Sequence, residues 1–141
     1  MMLSFQPACR QDIPVIYDQA KNLMDTYEDI AAIEYEKVLA WVNRKITSCI
    51  SEYTAVSVDG KICAYYHLCE DGELDDVYVL PGFQGQGIGS EILNRAIAQS
   101  PKPLYLYVFS RNHRAISFYE RFGFTVTKTL GNTRYIMSRN G

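Results

Sequence analysis

Val79-Leu80-Pro81-Gly82-Phe83-Gln84-Gly85-Gln86-Gly87-Ile88-Gly89-Ser90 is the stretch on which the reading of this fold turns. A β-rich run, Glu73 to Val79, leads into it, and Ile88, Ile92, Leu93, Ala96 and Ile97 follow at helical spacing. A strand therefore empties into a glycine-rich turn that opens a helix. Such a start leaves several backbone N–H groups without an intrahelical acceptor. Glycines at 85, 87 and 89 let the backbone approach a ligand closely and take positive φ. The helix dipole favours an anion at the same place. The stretch reads as a cradle for a pyrophosphate.

Spacing narrows the kind of cradle. The glycines fall as G-x-G-x-G rather than G-x-G-x-x-G, and no Lys-Ser or Lys-Thr follows as in a Walker A loop. A dinucleotide site also needs an acid about 20 residues on, and the strand Leu104–Val108 with Phe109 and Ser110 after it offers none. These points weaken a nucleotide-phosphate binder. A surface turn with incidental glycines is the bland alternative.

Working outward, 141 residues at 48% hydrophobic and 21% charged fit one globular domain spanning 1–141. No apolar run approaches the ~18 residues of a membrane span, and Met1 to Asp12 shows neither a basic start nor an apolar stretch, so no signal peptide is expected. Cys9, Cys49, Cys63 and Cys69 form no C-x-x-C pair and read as free thiols of a cytoplasmic protein. Only His67 and His113 are present, too scattered for a catalytic metal, so no metal is expected. Neither nucleic acid nor a membrane is expected as a partner.

The net charge of −2 is unevenly placed. Residues 1–79 hold 14 acids and 6 bases, whereas residues 80–141 hold 2 acids and 8 bases. The part carrying the cradle suits an anionic ligand. The acidic clusters Asp25, Glu28, Asp29, Glu34, Glu36 and Glu70, Asp71, Glu73, Asp75, Asp76 fit either a solvated face or a site for a cationic amine.

Elements follow from periodicity and turn signals. Leu3–Cys9 is a strand; a helix starts at about Asp12, with Asp12 as N-cap and Pro14 in its first turn. Ile33–Ile50 is a second helix. Tyr53–Val58 and Lys61–Cys69 form a hairpin about Asp59-Gly60. Strand Glu73–Val79, the cradle helix, strand Leu104–Val108, helix Asn112–Phe122 and strands Phe124–Leu130 and Thr133–Ser138 complete the chain. The order β-α-α-β-β-β-α-β-α-β-β combines hairpins with a crossover helix, an α/β fold with a mixed sheet.

Gln84-x-x-Gly87-x-Gly89 after a strand ending Val-x-Pro resembles the acyl-CoA-binding loop of the GNAT superfamily of N-acetyltransferases, whose signature is Gln/Arg-x-x-Gly-x-Gly/Ala. A second segment, Asn112-His113-Arg114-Ala115-Ile116-Ser117-Phe118-Tyr119-Glu120-Arg121-Phe122-Gly123-Phe124, is similar to that family's Asn-x-x-Ala-x-x-Phe-Tyr-x-x-x-Gly-Phe. Both motifs stand in the family's order, and the element order matches its whole fold.

The resemblance implies acetyl-CoA as co-substrate and an amine acceptor as partner. It gives pyrophosphate binding to Gln84, Gly85, Gln86, Gly87, Ile88, Gly89 and Ser90, and pantetheine pairing to the backbone of Val77, Tyr78 and Val79. Asn112 would contact the pantetheine arm, and Tyr119 would face the sulfur. Asn112 and Tyr119 are seven apart, two helical turns, and share a face. A phenol with a pKa of about 10 beside a thiol of about 8.5 is protonated at neutral pH and can donate to a departing thiolate. Tyr119 as mere core filling is the alternative.

For the base, Glu73, Asp75, Val77 and Val79 alternate onto one strand face, so either acid can face the acceptor. Glu73 precedes Gln84 by the spacing at which histone-acetylating relatives place a catalytic glutamate, while Tyr107 stands where peptide-acetylating relatives carry an acid. Both acids could equally be solubilising edge charges. His67 is a rival base, read more readily as a half-buried strand residue; Arg111 and Arg114 could reach CoA phosphates or simply lie on a solvated face.

The expected activity is acetyl-CoA-dependent N-acetyl transfer to a primary amine of a small cationic molecule or peptide, by direct attack on the thioester. The alternative is an acyl-CoA-binding regulatory module without turnover. A homodimer could form if Thr133–Ser138 is an edge strand that pairs with a second copy.

Overall fold

Seven strands and four main helices follow the expected order in the computed structural model, which describes residues 2–140. Met1 and Gly141, the ends of the domain expected over 1–141, lie outside the described residues. The elements are β1 (Leu3–Pro7), α1 (Ile13–Tyr27), α2 (Tyr35–Cys49), β2 (Tyr53–Val58), β3 (Lys61–Leu68), β4 (Leu74–Val79), α3 (Ile88–Gln99), β5 (Tyr105–Phe109), α4 (His113–Glu120), β6 (Phe124–Leu130) and β7 (Arg134–Arg139). Asp12 does precede α1, but its side chain does not cap that helix. It accepts the Cys9 N–H at 2.8 Å and the Tyr65 hydroxyl at 2.6 Å, tying the end of β1 to β3.

The strands form two antiparallel sheets, β1-β2-β3-β4 and β5-β7-β6. Parallel pairing survives at one bridge, Glu73 with Tyr105, after which β4 and β5 diverge. The expected mixed sheet is thus joined at a single point and open beyond it. Strand β7 lies in the middle of its sheet, paired to β5 and β6. Thr133–Ser138 is therefore not an edge: its backbone groups are already used, and the expected pairing with a second copy through it is overturned.

Two apolar layers hold the sheets. Ile16 of α1 and Ile46 of α2 pack on Tyr53, Ala55, Tyr65 and Tyr78 of the first sheet. On its other face, Ile88, Ile92, Leu93 and Ala96 of α3 meet Val56, Cys63, Tyr66 and Leu74. Leu106, Phe124 and Met137 of the second sheet join that same core. The 3.6-residue repeat of α3 explains this, because its four buried residues form one stripe.

A β-bulge decides the geometry of β4. His67 pairs with Asp76 and Leu68 with Leu74, so Asp75 is the extra residue. Asp75 and Asp76 consequently turn to the same side, toward Lys45 of α2. Val77 and Val79 point to the opposite face, into the α3 core. The expected alternation of Glu73, Asp75, Val77 and Val79 onto one face fails here because the bulge shifts the period by one residue.

Candidate functional site

The chain leaves β4 through a loop whose glycines have distinct tasks. Gly82, Gly85 and Gly87 hold φ of 91°, 78° and 82°, a region costly for residues with a Cβ. Gly87 occupies the position before the first turn of α3, and the space beside it is open. Gly89 is helical; a Cβ there would meet the Phe118 ring at 3.3 Å. It is small to let α4 approach, which spacing alone did not reveal. The Gln84 amide donates to Val79 O at 3.1 Å and the Gln86 amide to Gly82 O at 3.4 Å, folding the loop on itself. Among the described residues, the N–H groups of Gly87, Ile88, Gly89 and Ser90 have no protein acceptor. They are four aligned donors at a helix start.

Beyond the Glu73–Tyr105 bridge, the divergence of β4 and β5 opens a cleft of about 570 Å³. Leu80 N–H donates to Cys63 O. Bonded positions alternate along an antiparallel ladder, so Val79 and Val77 turn their N–H and C=O away from β3, toward the side on which β5 diverges. Tyr78 lines the same cleft, but its side chain is buried and its hydroxyl donates to Asp76 at 2.9 Å.

Asn112 and Tyr119 both line the cleft, as their shared helix face requires. Asn112 Oδ1 accepts the Ala115 N–H at 3.2 Å, capping α4, an interaction that contributes about 1 kcal/mol. Tyr119 sits edge-on to Phe118 and Phe124, and its hydroxyl has no hydrogen-bond partner among the described residues. Burial, then the nearby Asp76 charge, pushes its pKa up to about 12. The phenol thus stays protonated and available at neutral pH. Arg111 and Arg114 are exposed and do not line the cleft, whereas Tyr107 and Arg134 do.

The acids belong to a connected network on the α2 side. Lys45 Nζ lies 2.5 Å from Asp75 and 3.4 Å from Asp76. His67 is buried, stacked on Tyr53, with Nδ1 3.0 Å from Asp75 and Nε2 3.2 Å from Glu52. Burial lowers the His67 pKa, but its hydrogen bonds to Asp75 and Glu52 outweigh that and raise it overall. Burial also opposes the Asp75 charge, yet hydrogen bonds from His67 and Lys45 hold its carboxyl below the ordinary range. Glu73 takes the opposite shift: burial first, then the Asp75 charge, push it to about 7. Two neighbouring carboxylates are driven apart, leaving one ionised and one poised near neutrality.

His67 therefore does not reach the cleft as a rival base; both ring nitrogens are engaged behind Asp75, and it is fully rather than half buried. Ligand-type atoms of His67, Cys69 and Asp75, and of Cys69, Asp71 and Glu73, lie within 4.8 Å of one another, closer than the sequence suggested. Burial and the surrounding acids raise the Cys69 thiol to about 12, so it is not a ready thiolate. Lys45 and Tyr53, which anchor the network, carried no motif and were missed.

The network makes stability depend on pH. Both Glu73 and His67 hold their protons to a higher pH when folded than when unfolded. Their favourable contribution is complete below the unfolded pKa values and fades as pH rises through the folded ones. The depressed Asp75 acts oppositely, but in the acidic range below the ordinary carboxylate pKa. The melting temperature is expected to fall from pH 5 to pH 8, and Glu73→Gln to flatten the part of that slope below about pH 7, between the ordinary carboxylate pKa and the raised one. A wild-type melting temperature that climbs across this range would contradict the network.

Residues 19–124 match the Acetyltransferase (GNAT) family. Among similar proteins is an uncharacterized N-acetyltransferase of Methanocaldococcus jannaschii, 39% identical over 59 residues, covering 39% of this chain and 26% of that protein. An uncharacterized N-acetyltransferase of Mycobacterium bovis is 32% identical over 79 residues, covering 50% of this chain and 51% of its own. The chain thus spans between about a quarter and a half of the length of these relatives. Among solved structures, the PaiA N-acetyltransferase of Thermoplasma acidophilum in complex with coenzyme A shares the fold, with a TM-score of 0.69 and 18% identity over 100% of both chains. Among the described residues no helix is long and apolar enough to cross a membrane. With its loop, its capped α4 and the splay of β4 from β5, the chain belongs to the Acetyltransferase (GNAT) family.

Proposed function

We propose that this protein is an acetyl-CoA-dependent N-acetyltransferase that acetylates a primary amine of a small cationic molecule or peptide by direct attack on the thioester. The observation that carries the reading is a cleft with an unpartnered Tyr119 hydroxyl on its wall and a near-neutral Glu73 at its floor, together with four free N–H donors at the start of α3, the helix that follows β4 in the chain. Acetyl-CoA supplies an activated acyl group. The N–H groups of Gly87 to Ser90, within the loop from Gln84, hold the pyrophosphate, and the free backbone edge of Val77 and Val79 pairs with the pantetheine arm. The side chains of Gln84 and Gln86 fold the loop on itself, and Asn112 orients α4 while lining the cleft.

Glu73 accepts the proton that the ammonium must lose before nitrogen can attack, directly or through a bridging water. Asp75 remains ionised beside it, raising the basicity of Glu73 and attracting the cation. The Val79 N–H polarises the carbonyl under attack. Tyr119 gives its proton to the sulfur as the carbon–sulfur bond breaks and is restored by the proton that the attacking nitrogen sheds, so the products are an amide and a thiol, and the proton on Glu73 passes to solvent.

Thiol release from acetyl-CoA across a panel of amines tests the proposal; saturable acetyl-CoA binding with no release would favour the regulatory module instead. In an active pair, kcat/KM should rise through about pH 7 as Glu73 ionises. Glu73→Gln should remove that limb and lose most activity between pH 7 and the acceptor's own pKa, recovering partly at higher pH as free amine arrives. Asp75→Asn should move the limb to lower pH, because the charge that lifts Glu73 is gone. Equal, pH-independent losses in both variants would remove Glu73 from the mechanism.

A further inference from the structure

The two walls of the cleft differ in chemistry. On one side stand Asn112, Tyr119 and the free edge of β4. On the other, α1, α2 and the segment between them present Leu23, Ile33, Val38, Trp41 and Val42. Trp41 is 57% exposed, a large aromatic kept in water at the mouth of a cleft, and it is the single tryptophan of the chain. With Leu23, Ile33, Val38 and Val42 beside it in the lining, Trp41 belongs to a contiguous apolar wall rather than standing as a lone exposed side chain.

Charge is concentrated at the floor. Lys45 pairs with Asp75 and Asp76 at the floor, and Glu73 beside them has no ion-pair partner among the described residues. Along the apolar wall the cleft adds a single acid, Glu28, and Arg134 lines it as well. One ammonium is therefore matched at the floor, and a chain of further ammoniums running outward would meet hydrocarbon rather than carboxylates.

We infer that the acceptor is a monoamine whose ammonium is carried on an apolar or aromatic group, not a polyamine; this names the substrate class of the acetyltransferase reading and rests on it. The ammonium docks against Glu73 and Asp75, and its apolar body lies on Trp41, Val38 and Leu23. Covering a body the size of a phenyl ring is worth roughly 10- to 100-fold in affinity. The same chemistry occurs in a free arylalkylamine and at the N-terminus of a peptide beginning with Leu or Met, and both present a primary amine next to an apolar side chain.

Because Trp41 is the only tryptophan, its emission reports cover of this wall without turnover. Phenethylamine, a leucine-initiated peptide amide, 2-phenylethanol and spermidine are titrated into the protein saturated with CoA, and thiol release from acetyl-CoA is followed in parallel. Phenethylamine or the peptide should change the emission saturably. The uncharged alcohol should bind about 10-fold more weakly, and spermidine should leave the emission unchanged. Trp41→Ala should raise KM for the preferred amine about 10-fold, and the arm with the higher kcat/KM identifies the source. Spermidine binding as tightly as phenethylamine, or emission silent to both apolar amines, overturns the inference. Fast turnover of spermidine alone would overturn it while leaving the transferase intact. Saturable emission without thiol release would uphold the apolar amine subsite and sink the transferase reading.

Discussion

Gly87→Val is expected to weaken acetyl-CoA binding by at least about 100-fold while the protein remains folded. Gly87 has φ of 82° immediately before α3, a conformation that a β-branched residue adopts only under strain. The strain is relieved by rotating the peptide, which swings the N–H groups of Gly87 and Ile88 away from a bound phosphate. A hydrogen bond to a charged group contributes about 1.5–3 kcal/mol, so losing two corresponds to about 10²–10⁴ in affinity. No protein atom lies within 4 Å of a Cβ at this position, so the core should not be disturbed. Calorimetry and thermal unfolding measure the two halves of the prediction. Wild-type affinity in a folded Gly87→Val protein would show that the loop does not hold the pyrophosphate. Gly89→Val should behave differently, with lower stability as well, because its side chain would strike Phe118.

Tyr119→Phe should leave acetyl-CoA affinity nearly unchanged and lower kcat by roughly 10²-fold or more, the scale of general-acid loss. The ring keeps its contacts with Phe118 and Phe124, and the hydroxyl has no protein partner to abandon. Removing it therefore costs little folding energy, which separates chemistry from stability. With a pKa near 12 the phenol donates across the neutral range, so the loss should be independent of pH from 6 to 9. Pre-steady-state measurement of thiol formation would isolate the step. Unchanged kcat would return Tyr119 to a packing role.

Much of this was legible in the chain itself because it is local. Strand-to-glycine-to-helix around Val79–Ser90 is a run of neighbouring residues, so its unpaired donors follow from helix geometry alone. The seven-residue separation of Asn112 and Tyr119 likewise placed both on one face, and both line the cleft. The excess of acids in residues 1–79 includes Glu73, Asp75 and Asp76, which line the cleft, although charge alone left open whether they form a solvated face or a site. Element order and type followed from periodicity, with boundaries displaced by one or two residues at half of the strand ends.

What depended on pairing was not legible. Asp75 leaves the alternating pattern only because β3 and β4 register with one residue extra, and nothing in the run Leu74–Val79 announces a bulge. Strand β7 became central because β5 returned to pair with it, so Thr133–Ser138 lost the free edge its terminal position suggested. His67 was within reach of Asp75 and Glu52 only after the hairpin closed beside the end of α2. Local order in the chain set the elements, the unpaired donors of the glycine turn and the helix face bearing Tyr119, since hydrogen-bond geometry and side-chain period act over a few neighbours. Tertiary structure alone decided which carboxylate is poised near pH 7, because a pKa is set by burial and by charges that arrive from distant parts of the chain.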